Sequence, residues 1–334
     1  MSLAGRGAVD MVVLGAGPGG LACAIAAATA GLSVVVLDAR PVPRDRPGET
    51  LHPGVEALFR QLGVDGVVAA ARFHRHQGIQ VERPGEASRL EPYGADDDGP
   101  WLGFQAPGTA LDGLLADRAK ALGVSLRAPA SVRDAIFDHD GVRLSLSDRT
   151  VLSAGTLVDA SGTNRWLARR LGLQSVAWSR PLLSRWWAEP ADGAAPTDPV
   201  LTLKDDGWLW RAPIDERTVS LCAMTTSLDR PNAGVRARDV SWRIQERTAG
   251  PGWWLVGDAA CMLDPLAGKG VLKAMMSGIL AAWLFTKVRD GEIDAAAAAA
   301  EYHDRISRQF DQDRIALAAA YRAWSPGLLT RIQP

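Results

Sequence analysis

The feature that most narrows what this chain can become is a glycine turn set between two kinds of periodicity. Val9 to Leu14 is an apolar, β-branched run, Pro18 to Ala30 is alanine-rich and helical in pattern, and Ser33 to Leu37 is again β-branched. Gly15, Gly17 and Gly20 spell GxGxxG where the first strand enters the helix. Side chains at those positions would keep the backbone and the helix N-terminus away from a pyrophosphate. Asp38 closes the second strand, where an acid accepts hydrogen bonds from ribose hydroxyls. The motif in this context predicts a βαβ dinucleotide site, rather than a turn that is glycine-rich for structural reasons alone.

Around that unit the chain is long enough, at 334 residues, for two domains or one large α/β unit with an inserted sheet. From about Ser175 to Thr226, short aromatic strands separated by Pro, Gly and Asp predict a smaller antiparallel sheet. Trp253 to Val256 then returns as an apolar strand, followed by helix to about residue 325. Asp294 is the expected N-cap of the last helix, with Ile306, Phe310, Leu317, Tyr321 and Trp324 on one face. With 37 Lys plus Arg against 38 Asp plus Glu, no global field draws the chain to nucleic acid. Cys23, Cys222 and Cys261 lack the close spacing of a disulfide framework or a metal site, which fits a reducing cytoplasm. The N-terminus has no export pattern. Val271 to Phe285 is interrupted by Lys273 and falls short of the roughly 20 residues of a bilayer span, so no stable membrane insertion is expected.

Two later segments repeat the strand-then-glycine pattern. GTLVDASGTNRWLARRLGL carries Asp159 and Gly162, and WWLVGDAACMLDPLAGKG carries Gly257 and Asp258. With the first motif, these resemble the glutathione-reductase-type FAD fold in its flavoprotein hydroxylase and halogenase branch. The resemblance implies a Rossmann-like α/β FAD-binding domain with a mostly parallel sheet, built from residues 1–174 and 227–290 and taking in part of the substrate sheet at 77–105. A smaller antiparallel substrate domain at 175–226 and C-terminal helices at 291–334 complete it. It further implies that Asp159 belongs to the cofactor site and that Asp258 binds the ribityl chain. Pro265, Gly268 and Gly270 would border the isoalloxazine, and Arg40 and Arg46 would lie near the phosphates.

RPGETLHPG, Arg46 to Gly54, resembles the GE-containing connector of halogenase-like flavoproteins, and WLWRAP, Trp208 to Pro213, resembles their paired-tryptophan motif. Halogenases of this kind carry a lysine after the connector, yet no lysine stands between Glu49 and Trp101. Gly108 replaces an arginine that many hydroxylases place four residues before a helix aspartate, here Asp112. The stretch from Asp239 through GVLKAMMSG, Gly270 to Gly278, resembles the flavin monooxygenases that mature tryptophylquinone cofactors, the LodB/GoxB/QhpG-like group.

That resemblance implies a cytoplasmic FAD-dependent monooxygenase. NADH or NADPH would reduce FAD transiently, or a separate flavin reductase would do so. O2 would form the flavin C4a-hydroperoxide, and an aromatic ring would be hydroxylated, here a tryptophan in a partner polypeptide during quinone cofactor biogenesis. A small-molecule hydroxylase, a halogenase, a geranylgeranyl-type reductase and a non-catalytic flavin-binding partner are the alternatives. Trp208 and Trp210 are the candidate substrate-stacking residues, with core packing the competing role. His52 and Lys269 are the candidate catalytic groups, competing with surface roles. No histidine spacing indicates a metal.

Overall fold

The computed structural model describes residues 9–44, 48–191, 198–225, 234–328 and 332. Its helices are α1 (Pro18–Thr29), α2 (Val55–Leu62), α3 (Asp65–Ala70), α4 (Gly108–Ala121), α5 (Trp166–Arg170), α6 (Gly270–Arg289) and α7 (Ala295–Trp324).

The β-branched runs pair as their composition predicts. Val9–Leu14 lies parallel between Val34–Leu37 and Val151–Asp159, with Val12 opposite both Val35 and Leu157. Ser125–Arg127 extends the parallel set on one side and Trp253–Leu255 on the other. Val151–Asp159 is long enough to serve two neighbours in succession. Its start pairs with the antiparallel hairpin strand Gly141–Leu146 and its end with Trp253–Leu255. Strands this apolar are covered on both faces, here in part by α1 and α6. These two helices cross so closely that a Cβ on Gly278 would lie 2.2 Å from the Gly19 carbonyl oxygen. An 18-residue window of α6 has a mean hydropathy of 1.4, enough for a membrane span by composition. In this fold α6 is a core helix, with Met275, Ile279, Ala282 and Phe285 buried.

The second sheet has seven strands in the order Arg236–Asp239, Leu183–Pro190, Thr218–Thr225, Gly207–Asp215, Val200–Lys204, Gly78–Glu82, Arg89–Pro92. It reaches beyond the 175–226 window because Gly78–Glu82 pairs in parallel with Val200–Lys204. A parallel pairing between segments that far apart leaves no local trace in the sequence. A three-stranded sheet has Gly103–Ala106 in the middle, antiparallel to both Glu49–Leu51 and His74–His76. The Asp294 side chain caps α7, accepting from the Ala297 amide at 2.7 Å. The buried face of α7 carries Tyr302, Ile306, Phe310, Leu317 and Tyr321.

Candidate active site

The glycine turn is shaped by exclusion. Gly15 adopts φ +105°, and a Cβ there would sit 2.3 Å from the Ala160 carbonyl oxygen. A Cβ on Gly20 would sit 2.0 Å from the Gly15 oxygen, and one on Gly17 would sit 2.6 Å from the Arg44 guanidinium. Asp38 is buried and holds the turn. One carboxylate oxygen accepts from the Ala16 amide at 2.8 Å, the other from the Arg40 amide at 2.9 Å. Arg40 contributes that amide while its residue is exposed, and Arg46 lies outside the described residues.

Arg44, which the motif reading passed over, is the cation at this turn. It stands 3.6 Å from the buried Asp112 carboxylate and 4.0 Å from Asp38. Asp112 is the helix aspartate whose usual upstream arginine is Gly108 here, so a connector residue brings positive charge to a place the α4 sequence leaves neutral. Its place among the arginines of the Pro/Arg-rich stretch before the GE connector was the available sequence signal.

Behind the turn the other two motifs meet it through the backbone. The Ala160 amide donates to the Leu14 carbonyl at 2.8 Å, and the Val256 amide donates to the Asp159 carbonyl at 2.9 Å. The Asp159 side chain is fully buried and accepts from the Ser161 and Leu167 amides at 2.9 and 2.8 Å. Burial raises its pKa, opposed by those bonds. Both its oxygens thus organise the loop into α5. Asp258 follows Gly257, whose φ is +60° and whose amide donates to Ser277 Oγ at 3.0 Å. Its carboxylate lies 3.6 Å from Arg238. Desolvation raises its pKa, while Arg238, Arg243 and Lys273 pull it down.

The loop that follows is pinned by one carboxylate. Asp264, directly before Pro265, accepts from the Leu266 amide at 3.0 Å and so caps the turn Pro265–Ala267. It also accepts from the Trp242 indole at 2.7 Å and the Tyr321 hydroxyl at 2.9 Å. Burial pushes its pKa up to about 6 against those three bonds. Gly268 then turns with φ +62°, and Lys269 precedes Gly270, the first residue of α6.

The two candidate substrate tryptophans part company. Trp208 is 2% exposed and its indole donates to the Tyr321 hydroxyl at 2.8 Å. This corrects the expectation of a substrate contact, because at that exposure, with its indole bonded to a buried tyrosine of α7, no face of the ring is left open to a ligand. The Trp210 ring lies 4.0 Å from where a Gly268 Cβ would be, and its indole donates to Thr50 Oγ1 at 3.2 Å. Strand register sets Trp210, Cys222 and Trp186 side by side across the sheet, with Arg236 next at the edge. The Cys222 thiol is pushed up by burial and by the nearby Asp264 and Glu49 charges, so it stays protonated. Thr50 also donates to the Gln105 side-chain oxygen at 3.0 Å. Gln105 is fully buried, and its amide nitrogen has no acceptor among the described residues. His52 Nδ1 accepts from the Gly54 amide at 3.0 Å, and burial, then the charge of Lys269, lower its pKa, leaving it neutral near pH 7.

This donor set fits FAD. A notched turn, the α1 N-terminus and Arg44 suit a diphosphate, Asp258 suits ribityl hydroxyls, and the Gln105 nitrogen is a buried donor awaiting an acceptor.

The fold and site define an FAD-binding flavoprotein. The FAD binding domain family matches residues 8–248, and the chain belongs to it. The menaquinone reductase of Mycolicibacterium smegmatis is 28% identical over 324 residues, covering 83% of this chain and 76% of its own. The tryptophan 2-halogenase of Chondromyces crocatus is 26% identical over 360 residues, covering 93% and 67%. Among solved structures, the flavin-dependent halogenase CmlS superposes with a TM-score of 0.85 over 95% of this chain at 20% identity. The chain spans 65% of that halogenase's length.

Proposed function

We propose that this chain is an FAD-dependent oxygenase that hydroxylates an electron-rich aromatic ring, and that the ring is a tryptophan carried by a partner polypeptide. The carrying observation is the row of Arg236, Trp186, Cys222 and Trp210 across the second sheet, which ends against the Gly268 turn. Bound FAD supplies reduction by NADH or NADPH and the activation of O2. The chain's residues do the rest. The α1 amides and Arg44 hold the diphosphate, Asp258 holds the ribityl chain, and Asp264 fixes the loop from Pro265 to Gly270. Trp210, oriented by Thr50, offers a stacking face, and neutral His52 accepts a proton. The polypeptide reading is supported by the edge strand Arg236–Asp239, exposed at all four residues beside that row. A partner segment can add there by backbone pairing while its ring enters the row.

The test supplies holoenzyme with NADH or NADPH, O2 and tryptophan-containing polypeptides, and reads oxygen incorporation by mass spectrometry. Oxygen gained on one indole, with free tryptophan inert, is the expected result. Tightly coupled hydroxylation of a free phenol or indole overturns the polypeptide substrate, and turnover without oxygen overturns the oxygenase in favour of a reductase.

One observation favours a second reading, halogenation. Lys269 acts electrostatically on His52 of the connector, so an amine stands near the segment that lacks its own lysine. Bromide, reduced flavin and assorted indoles separate the two readings, since only a halogenase yields brominated product.

A further inference from the structure

Three segments far apart in sequence end on the residue just before the ring-bordering loop. Trp208 comes from the second sheet, Trp242 from the strand connection before Arg243–Gln245, and Tyr321 from the last turn of α7. All three side chains are nearly inaccessible, at 2%, 1% and 0% exposure. Their polar atoms form one chain of hydrogen bonds. The Trp208 indole donates to the Tyr321 hydroxyl, which donates to Asp264, and the Trp242 indole donates to the other Asp264 oxygen. Asp264 in turn holds the Leu266 amide, the first free N–H of the turn Pro265–Ala267.

We infer that Tyr321 is a positioning residue for the cofactor: through Asp264 it fixes the loop from Pro265 to Gly270, so that the C-terminal helix α7 forms part of the FAD site. The inference rests on that loop bordering the flavin ring and goes beyond any choice of substrate. A carboxylate accepting three bonds from groups on separate elements has no freedom to rotate, and its turn inherits that rigidity. Core packing alone would bury Tyr321 as well. It would not require the hydroxyl to be both acceptor and donor in a chain ending on the loop. Asp264 also places negative charge behind the loop, where it opposes the charge that gathers on a reduced flavin.

The test compares Y321F, D264N and S325A as purified apo and holo proteins at pH 8. Ser325 anchors the same end of α7 to the Lys204 carbonyl at 2.7 Å without touching Asp264, so S325A reports loosening of the helix alone. Y321F is expected to weaken FAD binding roughly tenfold and to alter the visible spectrum of the bound flavin. D264N is expected to do both and to raise the flavin midpoint potential. S325A is expected to lower the melting temperature and leave the flavin signals unchanged. If Y321F fails to fold, D264N carries the test. Y321F with unchanged FAD affinity and spectrum, D264N with an unchanged potential, or S325A reproducing the flavin changes would each overturn the inference.

Discussion

The glycine turn and the tryptophan sheet are built on opposite principles. At the turn, backbone does most of the holding: Asp38 and Asp159 each accept two main-chain amides, and three glycines keep space clear. At the sheet, side chains do it: Trp208, Trp242 and Tyr321 converge on Asp264, and Trp210 reaches Thr50. Backbone-held sites are compact in sequence because neighbouring residues make them. Side-chain-held sites are dispersed, so each member is replaceable in kind but not in place.

The contrast can be broken first where it is strongest. Replacing Gly20 by Ala puts a Cβ 2.0 Å from backbone that has no side chain to move aside. We expect a loss of about 3 kcal/mol or more and no retained FAD, read by thermal melting and flavin content. Asp159→Ala leaves one buried and one half-buried amide without an acceptor, which should cost about 2 to 4 kcal/mol in denaturant unfolding.

On the sheet side the largest effect is pH-linked. Asp264 has its pKa raised to about 6, above the unfolded carboxylate near 4, so the folded protein binds the proton more tightly than the unfolded chain. Stability from this group is full below about pH 4 and is lost as pH rises through about 6, a change of about 2 to 3 kcal/mol. Unfolding profiles of the wild type and Asp264→Asn should diverge across that window, and parallel profiles would remove the assignment. Asp258→Ala should cost about 1 to 3 kcal/mol of FAD binding, checked by titration of apoprotein. Trp210→Phe keeps an aromatic face but loses the indole N–H bonded to Thr50 and part of a buried ring, so about 1 to 2 kcal/mol of stability is expected to go, read by thermal melting.

Much of the first region was legible because its physics is local. The β-branched runs, the glycines at fixed offsets and Asp294 as a cap each state their role within a few residues. Arg44 was hidden by its neighbours: in the stretch from Arg40 to Arg46, nothing local says which guanidinium turns back to the helix. The second region resisted for a different reason. Trp208 and Trp210 share a strand face and a motif and both are buried, yet one bonds to Tyr321 of α7 and the other to Thr50, beside Gly268.

By itself, then, the chain's order of residues determined the βαβ unit, the three glycine-bearing strand ends and a dinucleotide site, since short-range sterics and backbone hydrogen bonding decide these. Only the tertiary structure decided that Asp264 is a junction of three elements, that Arg44 faces Asp112, and that Gly78–Glu82 takes Val200–Lys204 as its parallel partner in the second sheet. Those outcomes depend on pairings between segments tens to more than a hundred residues apart, and a partner's identity over such a distance is set by how whole elements pack, not by any residue's neighbours.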